Sequence, residues 1–232
     1  MQNTEQLEIA TKLYRRYASD LAAVIEQQRA FHAENRERMT PQLDDIEAEL
    51  TYLYLRELRP ATVMELGTFH GWSTTWILSA LRDNGAGRLH SFDRIDNVVR
   101  NVPAALTDDR WTFVHGDVHA TLDAVPRDVG FLFVDADHGR RFGRWYLAHL
   151  FPLLPSGTPV SVHDVFHSRK ARIFSEGAEV VSWLADHDIR LFTAARRNSS
   201  DVFAALNEVR AELGIDGARG TTVNPMIWFT LP

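Results

Sequence analysis

The chain has 232 residues, 45% of them hydrophobic, which is enough for one α/β domain of ordinary size with a sizeable core. Its 25 basic and 31 acidic side chains give a formal net charge of −6 and are mixed along the chain, which argues against a nucleic-acid or anionic-membrane partner. The chain contains no cysteine, so disulfides, thiolate metal sites and a cysteine nucleophile are excluded.

The first part of the chain, residues 1–59, is predicted to be a helical extension. Apolar residues recur at helical spacing over residues 4–35 and again over residues 41–58. Thr40 precedes Pro41 and is the expected N-cap of the second of these helices. Because amphipathic stripes usually mean burial, we expect a lid, a packing element or an oligomerisation surface, without chemistry of its own.

From residue 60 onwards, short apolar runs alternate with helical segments, which is typical of a parallel sheet covered by helices on both faces. The runs predict strands at residues 62–66, 88–93, 111–115, 130–135 and 159–164. Two further runs, 189–193 and 226–231, predict a pair of strands near the C-terminus. Residues 60–232 are therefore expected to form one α/β domain.

An acidic residue lies at or just after the C-terminal end of each of the first five predicted strands. In an open α/β sheet the ligand lies outside the carboxyl ends of the strands. The carboxylates expected along this rim are Glu65, Asp93, Asp117, Asp135 and Asp164. Any one of them is readily explained as a helix cap or a loop residue, but five in succession indicate a ligand site.

A glycine-containing loop, residues 65–74, joins the first predicted strand to a helix. The residues of this loop that are candidates for ligand binding, together with the first amides of the following helix, are Gly67, Thr68, Gly71 and Ser73. The glycines allow a ligand to approach the backbone closely, and the amides and hydroxyls are hydrogen-bond donors. The loop lacks the Gly-x-Gly-x-x-Gly spacing of a dinucleotide site and the Gly-Lys-Ser/Thr of a phosphate loop, which disfavours a nicotinamide oxidoreductase. Glu65 would repel a pyrophosphate and attract a cationic ligand.

The pattern Glu-x-Gly-x-x-x-Gly-x-Ser resembles the cofactor loop of class I S-adenosylmethionine-dependent methyltransferases, and the likeness extends from about Val63 to Val165. The resemblance implies an α/β, Rossmann-like fold with a seven-stranded, mostly parallel sheet whose last strand is antiparallel. It implies S-adenosyl-L-methionine as the cofactor. The implied cofactor-binding residues are Glu65, Gly67, Thr68, Gly71, Ser73, Asp93, Asp117 and Asp135. Asp93 would bind the ribose hydroxyls, and Asp117 would face the adenine amine.

The stretch Val-Asp-Ala-Asp-His, residues 134–138, resembles the fourth-strand motif of caffeoyl-CoA-type, macrocin-type and cephalosporin hydroxylase-like proteins. In those families the first Asp binds a divalent cation, and an acidic or amide pair after the fifth strand completes the site. The corresponding metal ligands here would be Asp135 and the pair His163 and Asp164. His163 departs from the family patterns, and an imidazole favours zinc, iron or nickel over magnesium, or a site without metal.

His138 stands three residues after Asp135, where the caffeoyl-CoA and catechol enzymes carry a catalytic lysine. A histidine, with an ordinary pKa of about 6.5, can take a proton from a hydroxyl as the methyl group arrives. His138 and His163 are therefore the candidate catalytic bases, whereas Asp137 has no assigned role.

Other side chains near the predicted rim are candidates for contacting the acceptor substrate. Three basic residues after His138, namely Arg140, Arg141 and Arg144, either face solvent or meet an anionic group. Three aromatic residues on nearby loops are expected to shape the acceptor pocket: Trp72, Phe166 and His167.

The sequence thus predicts a methyltransferase that acts on a small molecule, most simply at a hydroxyl oxygen and in secondary metabolism, with divalent-metal assistance left open. Carboxyl or amine methylation without a metal, and a catalytically silent cofactor-binding module, stay open as alternatives. The polar N-terminus and the lack of a long apolar run favour a cytoplasmic protein. We expect a homo-oligomer without a nucleic-acid or membrane partner.

Overall fold

The computed structural model describes residues 2–166, 169–216 and 225–232. The helices are α1 (Gln2–Arg16), α2 (Ala18–Glu34), α3 (Asp45–Leu58), α4 (Trp72–Asn84), α5 (Asn97–Asn101), α6 (Ala104–Thr107), α7 (Arg140–Trp145), α8 (Glu176–Asp186) and α9 (Ser200–Glu212). The strands are β1 (Thr62–Leu66), β2 (Arg88–Asp93), β3 (Trp111–His115), β4 (Phe131–Val134), β5 (Pro159–Val162) and β6 (Ile227–Thr230). Among these helices none has both the length and the apolar character needed to cross a membrane.

The strands form one sheet in the order β3-β2-β1-β4-β5-β6. All neighbouring pairs from β1 to β5 are parallel, and β6 is antiparallel to β5. This confirms the predicted α/β, Rossmann-like fold with an antiparallel last strand. The carboxyl ends of the five parallel strands therefore meet along one edge of the sheet, as the rim prediction requires.

The prediction of seven strands was wrong, because the described part of the chain contributes six to this sheet. Residues 189–193 make a single antiparallel bridge, between Phe192 and Trp228. On one side of the bridge, the amide of Ile189 still donates to the carbonyl of Leu184 near the end of α8 (2.8 Å). On the other side, the Thr193 hydroxyl binds a carbonyl of the facing segment (2.8 Å), in place of a further backbone pair. The local hydrogen bonds at both ends thus limit the pairing to one residue.

Buried apolar side chains cover both faces of the sheet, since successive residues of a strand point to opposite sides. On β4, Phe131 and Phe133 join the core cluster formed with α1 to α4 and α9. Leu132 and Val134 join the cluster formed with α7 and α8. Burial on both faces explains why β4, in the middle of the sheet, is apolar without interruption.

The N-terminal helices differ from the prediction in two details. The helical pattern over residues 4–35 is divided at Tyr17 into α1 and α2. The next helix begins at Asp45, so the prediction of Thr40 as its N-cap was wrong. The cap is Asp44, whose carboxylate accepts from the amide of Glu47 (2.9 Å), while the Glu47 carboxylate accepts from the amide of Asp44 (3.0 Å). This reciprocal capping box starts the helix later than the proline signal indicates.

Candidate functional site

A cavity of about 490 Å³ opens at the carboxyl ends of β1 to β4. Its ionisable lining residues are Asp93, Arg94, Asp117, His119, Asp135, Asp137 and His138. Three of the five predicted rim carboxylates therefore share one cavity. The position agrees with the general rule for ligand sites in open α/β sheets.

Gly67 brings the loop after β1 directly over the end of β4. Its φ of +84° is unfavourable for a residue with a side chain, and an added Cβ would lie 1.9 Å from the carbonyl oxygen of Asp135. Gly71 also has a positive φ (+96°), and it begins α4 behind the loop without lining the cavity. Glycine is therefore required at position 67 by the backbone of Asp135, and the approach of a ligand to this loop stays a prediction.

Glu65 lies beneath the loop and is fully buried. Its carboxylate accepts hydrogen bonds from the hydroxyls of Ser73 (2.7 Å), Thr74 (2.9 Å) and Ser91 (2.6 Å). Burial raises the pKa of Glu65 to about 7, and the hydroxyl donors oppose this rise only in part. Glu65 and Ser73 thus bind each other under the loop, and neither lines the cavity.

Asp93, at the end of β2, holds the loop from the cavity side. Its Oδ2 accepts from the amide of Thr68 (2.6 Å), the hydroxyl of Thr68 (2.9 Å) and the amide of Phe69 (2.8 Å). Its Oδ1 accepts from the amide of Ile95 (3.0 Å). A carboxylate oxygen has two lone pairs, so Oδ1 retains the capacity to accept from a ligand hydroxyl. Thr68 is buried and acts through Asp93 instead of lining the cavity.

Asp117, after β3, forms the far end of the cavity. Its Oδ1 accepts from the amide of His119 (3.0 Å) and lies against the Nδ1 atom of the same residue. These hydrogen bonds hold the pKa of the Asp117 carboxyl below its usual range. The His119 ring packs on Trp145 with centroids 4.0 Å apart. This end of the cavity is therefore an aromatic surface next to an ionised carboxylate.

A second group of polar side chains lies after β4 and β5. Asp135, His138 and Asp164 each offer one ligand atom within 4.8 Å of the others. Nε2 of His138 lies 3.2 Å from Oδ2 of Asp164 and 3.8 Å from Oδ1 of Asp135. Asp164 has a left-handed backbone (φ +57°), a conformation that aspartate tolerates better than most residues. The strand order thus brings together residues that are distant along the chain.

His163 lies beside this group and is buried. Its Nδ1 is 3.3 Å from Oδ1 of Asp135, and its Nε2 is 3.2 Å from Oε2 of Glu47 in α3. Burial disfavours the charged imidazolium, but Asp135 and Glu47 outweigh it and raise the pKa of His163 well above its usual range. The same Nδ1 also lies 3.7 Å from Oδ2 of Asp164, so His163 and His138 both border the two carboxylates.

Glu176, the first residue of α8, contacts His138 from behind. Its Oε2 lies 3.3 Å from Nδ1 of His138, and its own amide donates to the His138 carbonyl (2.9 Å). The hydrogen bond to Glu176 is the main cause that raises the pKa of His138, against the effect of burial, with Asp135 and Asp164 adding to the rise. Burial also raises the pKa of the Glu176 carboxyl.

Neither Glu47 nor Glu176 is indicated as a site residue by the sequence. Glu47 follows Asp44 at capping-box spacing, and Glu176 follows the helix cap Ser175, so both have ordinary explanations as acids in a first helical turn. Only the tertiary packing reveals that both face a histidine.

The candidate acceptor contacts lie in different environments. Arg140 and Arg144 both pair with Glu179, the latter at 3.0 Å. Trp72 is buried and packs edge-on against Trp76 (6.2 Å). The remaining two aromatic candidates differ, since Phe166 is buried and His167 lies outside the described residues.

Comparisons with known proteins agree with this geometry. Residues 64–165, less than half of the chain, match the family model described as a methyltransferase domain. The cofactor-bound crystal structure of Rv0187 from MTB is similar, with a TM-score of 0.62 at 16% identity over 87% of this chain and 88% of that one. No curated protein matches the chain.

Two further crystal structures are similar over almost the full length of both chains. A putative O-methyltransferase from Klebsiella pneumoniae has a TM-score of 0.56 at 15% identity, covering 100% of this chain and 99% of that one. The O-methyltransferase from Bacillus cereus in complex with SAH has a TM-score of 0.54 at 16% identity, covering 97% and 100%. At such low identity these likenesses establish the fold, which is that of class I methyltransferases.

Proposed function

We propose that this protein, which has the class I methyltransferase fold and a methyltransferase domain at residues 64–165, transfers the methyl group of S-adenosylmethionine to a hydroxyl oxygen of a small molecule. The observation that carries the proposal is the cavity at the strand ends, where the loop at Gly67 crosses β4 between the carboxylates of Asp93 and Asp135. The backbone approach, together with acidic side chains, suits a cationic sulfonium ligand that also carries hydroxyls.

Within this cavity we assign the cofactor contacts as follows. Oδ1 of Asp93 accepts from the ribose, Asp117 and the adjoining aromatic surface bind the adenine, and the Gly67 backbone and Asp135 lie along the methionine part. Glu65, Gly71 and Ser73 support the loop from behind, and Thr68 ties it to Asp93. Their contribution to affinity is then indirect, through the position of the loop.

His138 is the proposed base. The acceptor oxygen attacks the methyl carbon, the carbon–sulfur bond breaks, S-adenosylhomocysteine leaves with the electron pair, and Nε2 of His138 takes the hydroxyl proton. Glu176, 3.3 Å from Nδ1, fixes the orientation of the ring and stabilises the imidazolium that forms. Glu176 acts through His138 and is therefore a positioning residue.

Asp135, His138 and Asp164 are also the residues that would hold a divalent cation. Two carboxylates and one imidazole suit zinc, iron or manganese better than magnesium, which prefers oxygen ligands. A cation bound there through Nε2 of His138 would occupy the atom assigned to the base, and it would activate the acceptor hydroxyl in its place by lowering the hydroxyl pKa. His163, whose Nδ1 lies 3.3 Å from Asp135 and 3.7 Å from Asp164, borders the same set and would be a further candidate ligand.

Transfer of a labelled methyl group from S-adenosylmethionine to a panel of small phenols, alcohols, amines and carboxylic acids tests the proposal, with and without added divalent metal. We expect transfer to a hydroxyl compound and a large loss in His138→Ala. A carboxylate acceptor needs no base, so transfer to acids that is unchanged in His138→Ala would replace the hydroxyl assignment. Binding of cofactor without any transfer would favour the silent module.

A further inference from the structure

A second cavity, of about 430 Å³, lies at the opposite end of the sheet from the methyl-transfer site. Phe131 and Pro159, which line it, are the first residues of β4 and β5. Asp135 and His163, by contrast, follow the last residues of the same strands. We call this space the α1–α3–β6 cavity after the elements that enclose it.

The walls of the α1–α3–β6 cavity are largely apolar. Ile9 and Leu13 come from α1, Leu58 from α3, and Ile189 and Leu191 from the segment after α8. Its volume falls within the range of about 300 to 1,000 Å³ that is usual for small-molecule sites. The cavity is therefore large enough for a compact organic ligand.

Two buried hydrogen-bond donors belong to residues that line this cavity. The hydroxyl of Tyr54 and Nε1 of Trp228 are both buried, and neither has a hydrogen-bond partner among the described residues. Trp228 is 6% exposed, and the two rings lie 6.2 Å apart. Trp72, Trp76 and Tyr146 also bury donors without partners in the described part of the chain, so the pair does not by itself require a ligand, but it can donate to the oxygen atoms of one.

The charged residues of the cavity indicate the sign of the ligand. The acidic lining residue is Glu57, whose carboxylate forms an ion pair with the guanidinium of Arg16 (2.7 Å) and accepts a hydrogen bond from the hydroxyl of Tyr17 (2.9 Å). Arg190 also lines the cavity, is exposed, and makes no ion pair with any of the residues described. The uncompensated charge is therefore positive, and it favours an anion.

We propose that the α1–α3–β6 cavity is a second binding site, which takes a small apolar carboxylic acid. Its hydrocarbon part lies against Ile9, Leu13 and Leu191, and its carboxylate pairs with Arg190. Its oxygen atoms satisfy the donors of Tyr54 and Trp228. The site is separate from the cofactor cavity and shares no lining residue with it.

Calorimetric titration of the full chain with octanoate, octylamine and octanol tests this assignment. We expect octanoate to bind at one site and octylamine not to bind, with octanol weaker than octanoate. Arg190→Gln should weaken octanoate at least about tenfold, since a hydrogen bond to a charged group is lost, and Tyr54→Phe should weaken it several-fold. Arg127→Gln removes an exposed cation elsewhere and should leave the affinity unchanged.

Circular dichroism and thermal melts establish that each variant is folded. Equal binding of octanoate and octylamine, no saturable heat with octanoate, or an unchanged affinity in a folded Arg190→Gln variant would overturn the proposal. A dimer that dissociates in Leu58→Glu, as seen by sedimentation, would show that a second copy of the chain covers the cavity, and would overturn it as well.

Discussion

The carboxylate of Glu65 offers a quantitative test of how the loop after β1 is supported. Glu65 is fully buried and accepts hydrogen bonds from Ser73, Thr74 and Ser91. Burial raises its pKa from 4.5 to about 7. Substitution by glutamine keeps the size of the side chain and one accepting oxygen, places an NH2 donor where the second oxygen was, and removes the titration.

The raised pKa means that the folded state binds the Glu65 proton more tightly than the unfolded state does. The contribution of Glu65 to the free energy of unfolding is therefore greatest below pH 4.5, falls as the pH rises from 4.5 to about 7, and is level above that. A difference of about 2.5 pH units, at about 1.36 kcal/mol per unit, corresponds to a total fall of about 3 kcal/mol. About 2.5 kcal/mol of this total fall occurs between pH 5 and pH 8.

Urea unfolding followed by tryptophan fluorescence at pH 5, 6, 7 and 8 measures this fall. The free energy of unfolding of Glu65→Gln, relative to wild type, should rise by about 2.5 kcal/mol across the series. Glu57→Gln is the control. Because Arg16 holds the pKa of Glu57 below its usual range, the difference in the free energy of unfolding between this variant and wild type should not change from pH 5 to pH 8. If the difference between Glu65→Gln and wild type is also independent of pH, the argument that burial raises the pKa of Glu65 is refuted.

Three further predictions concern the loop, the base and the N-terminal helices. Gly67→Ala should weaken S-adenosylhomocysteine binding at least about a hundredfold in calorimetry, because the new Cβ would lie 1.9 Å from a backbone carbonyl oxygen. Gly85→Ala is the control: Gly85 also has a positive φ (+66°) but open space around it, so this variant should keep the affinity. In a transfer assay, His138→Ala should lower kcat by a factor of about 10²–10⁴ and Glu176→Gln by roughly tenfold, while both variants keep their affinity for the cofactor. An equal loss of cofactor affinity in the two variants would contradict these roles. Asp44→Ala removes a helix cap and should lower the free energy of unfolding by about 1 kcal/mol in urea, and no change would contradict the capping box.

The sheet was largely predictable from the sequence because its strands are short apolar runs between turn signals. The predicted strands at 62–66 and 88–93 agree with β1 and β2 residue for residue. The run 189–193 has the composition of a strand, but a Thr193 hydroxyl bond to the facing segment replaces backbone pairing there. Composition does not reveal such a bond, which depends on the neighbour that the fold provides.

The candidate site was predictable in location and less so in detail. The rule that ligands bind at the carboxyl ends of parallel strands placed Asp93 and Asp135 at the cavity. It does not tell which side chain points into the cavity and which lies beneath the loop, as Glu65 does. Glu47 and Glu176 face His163 and His138 only because separate helices pack against β4 and β5.

Calorimetric titration of S-adenosylhomocysteine into the wild-type protein tests the central claim most directly. We predict binding at one site, and a loss of affinity of at least about tenfold in Asp93→Ala, which removes both the loop support and the carboxylate proposed for the ribose. Asp123→Asn, an exposed residue outside the cavity, should bind as wild type does. A folded wild-type protein that gives no heat of binding would contradict the account.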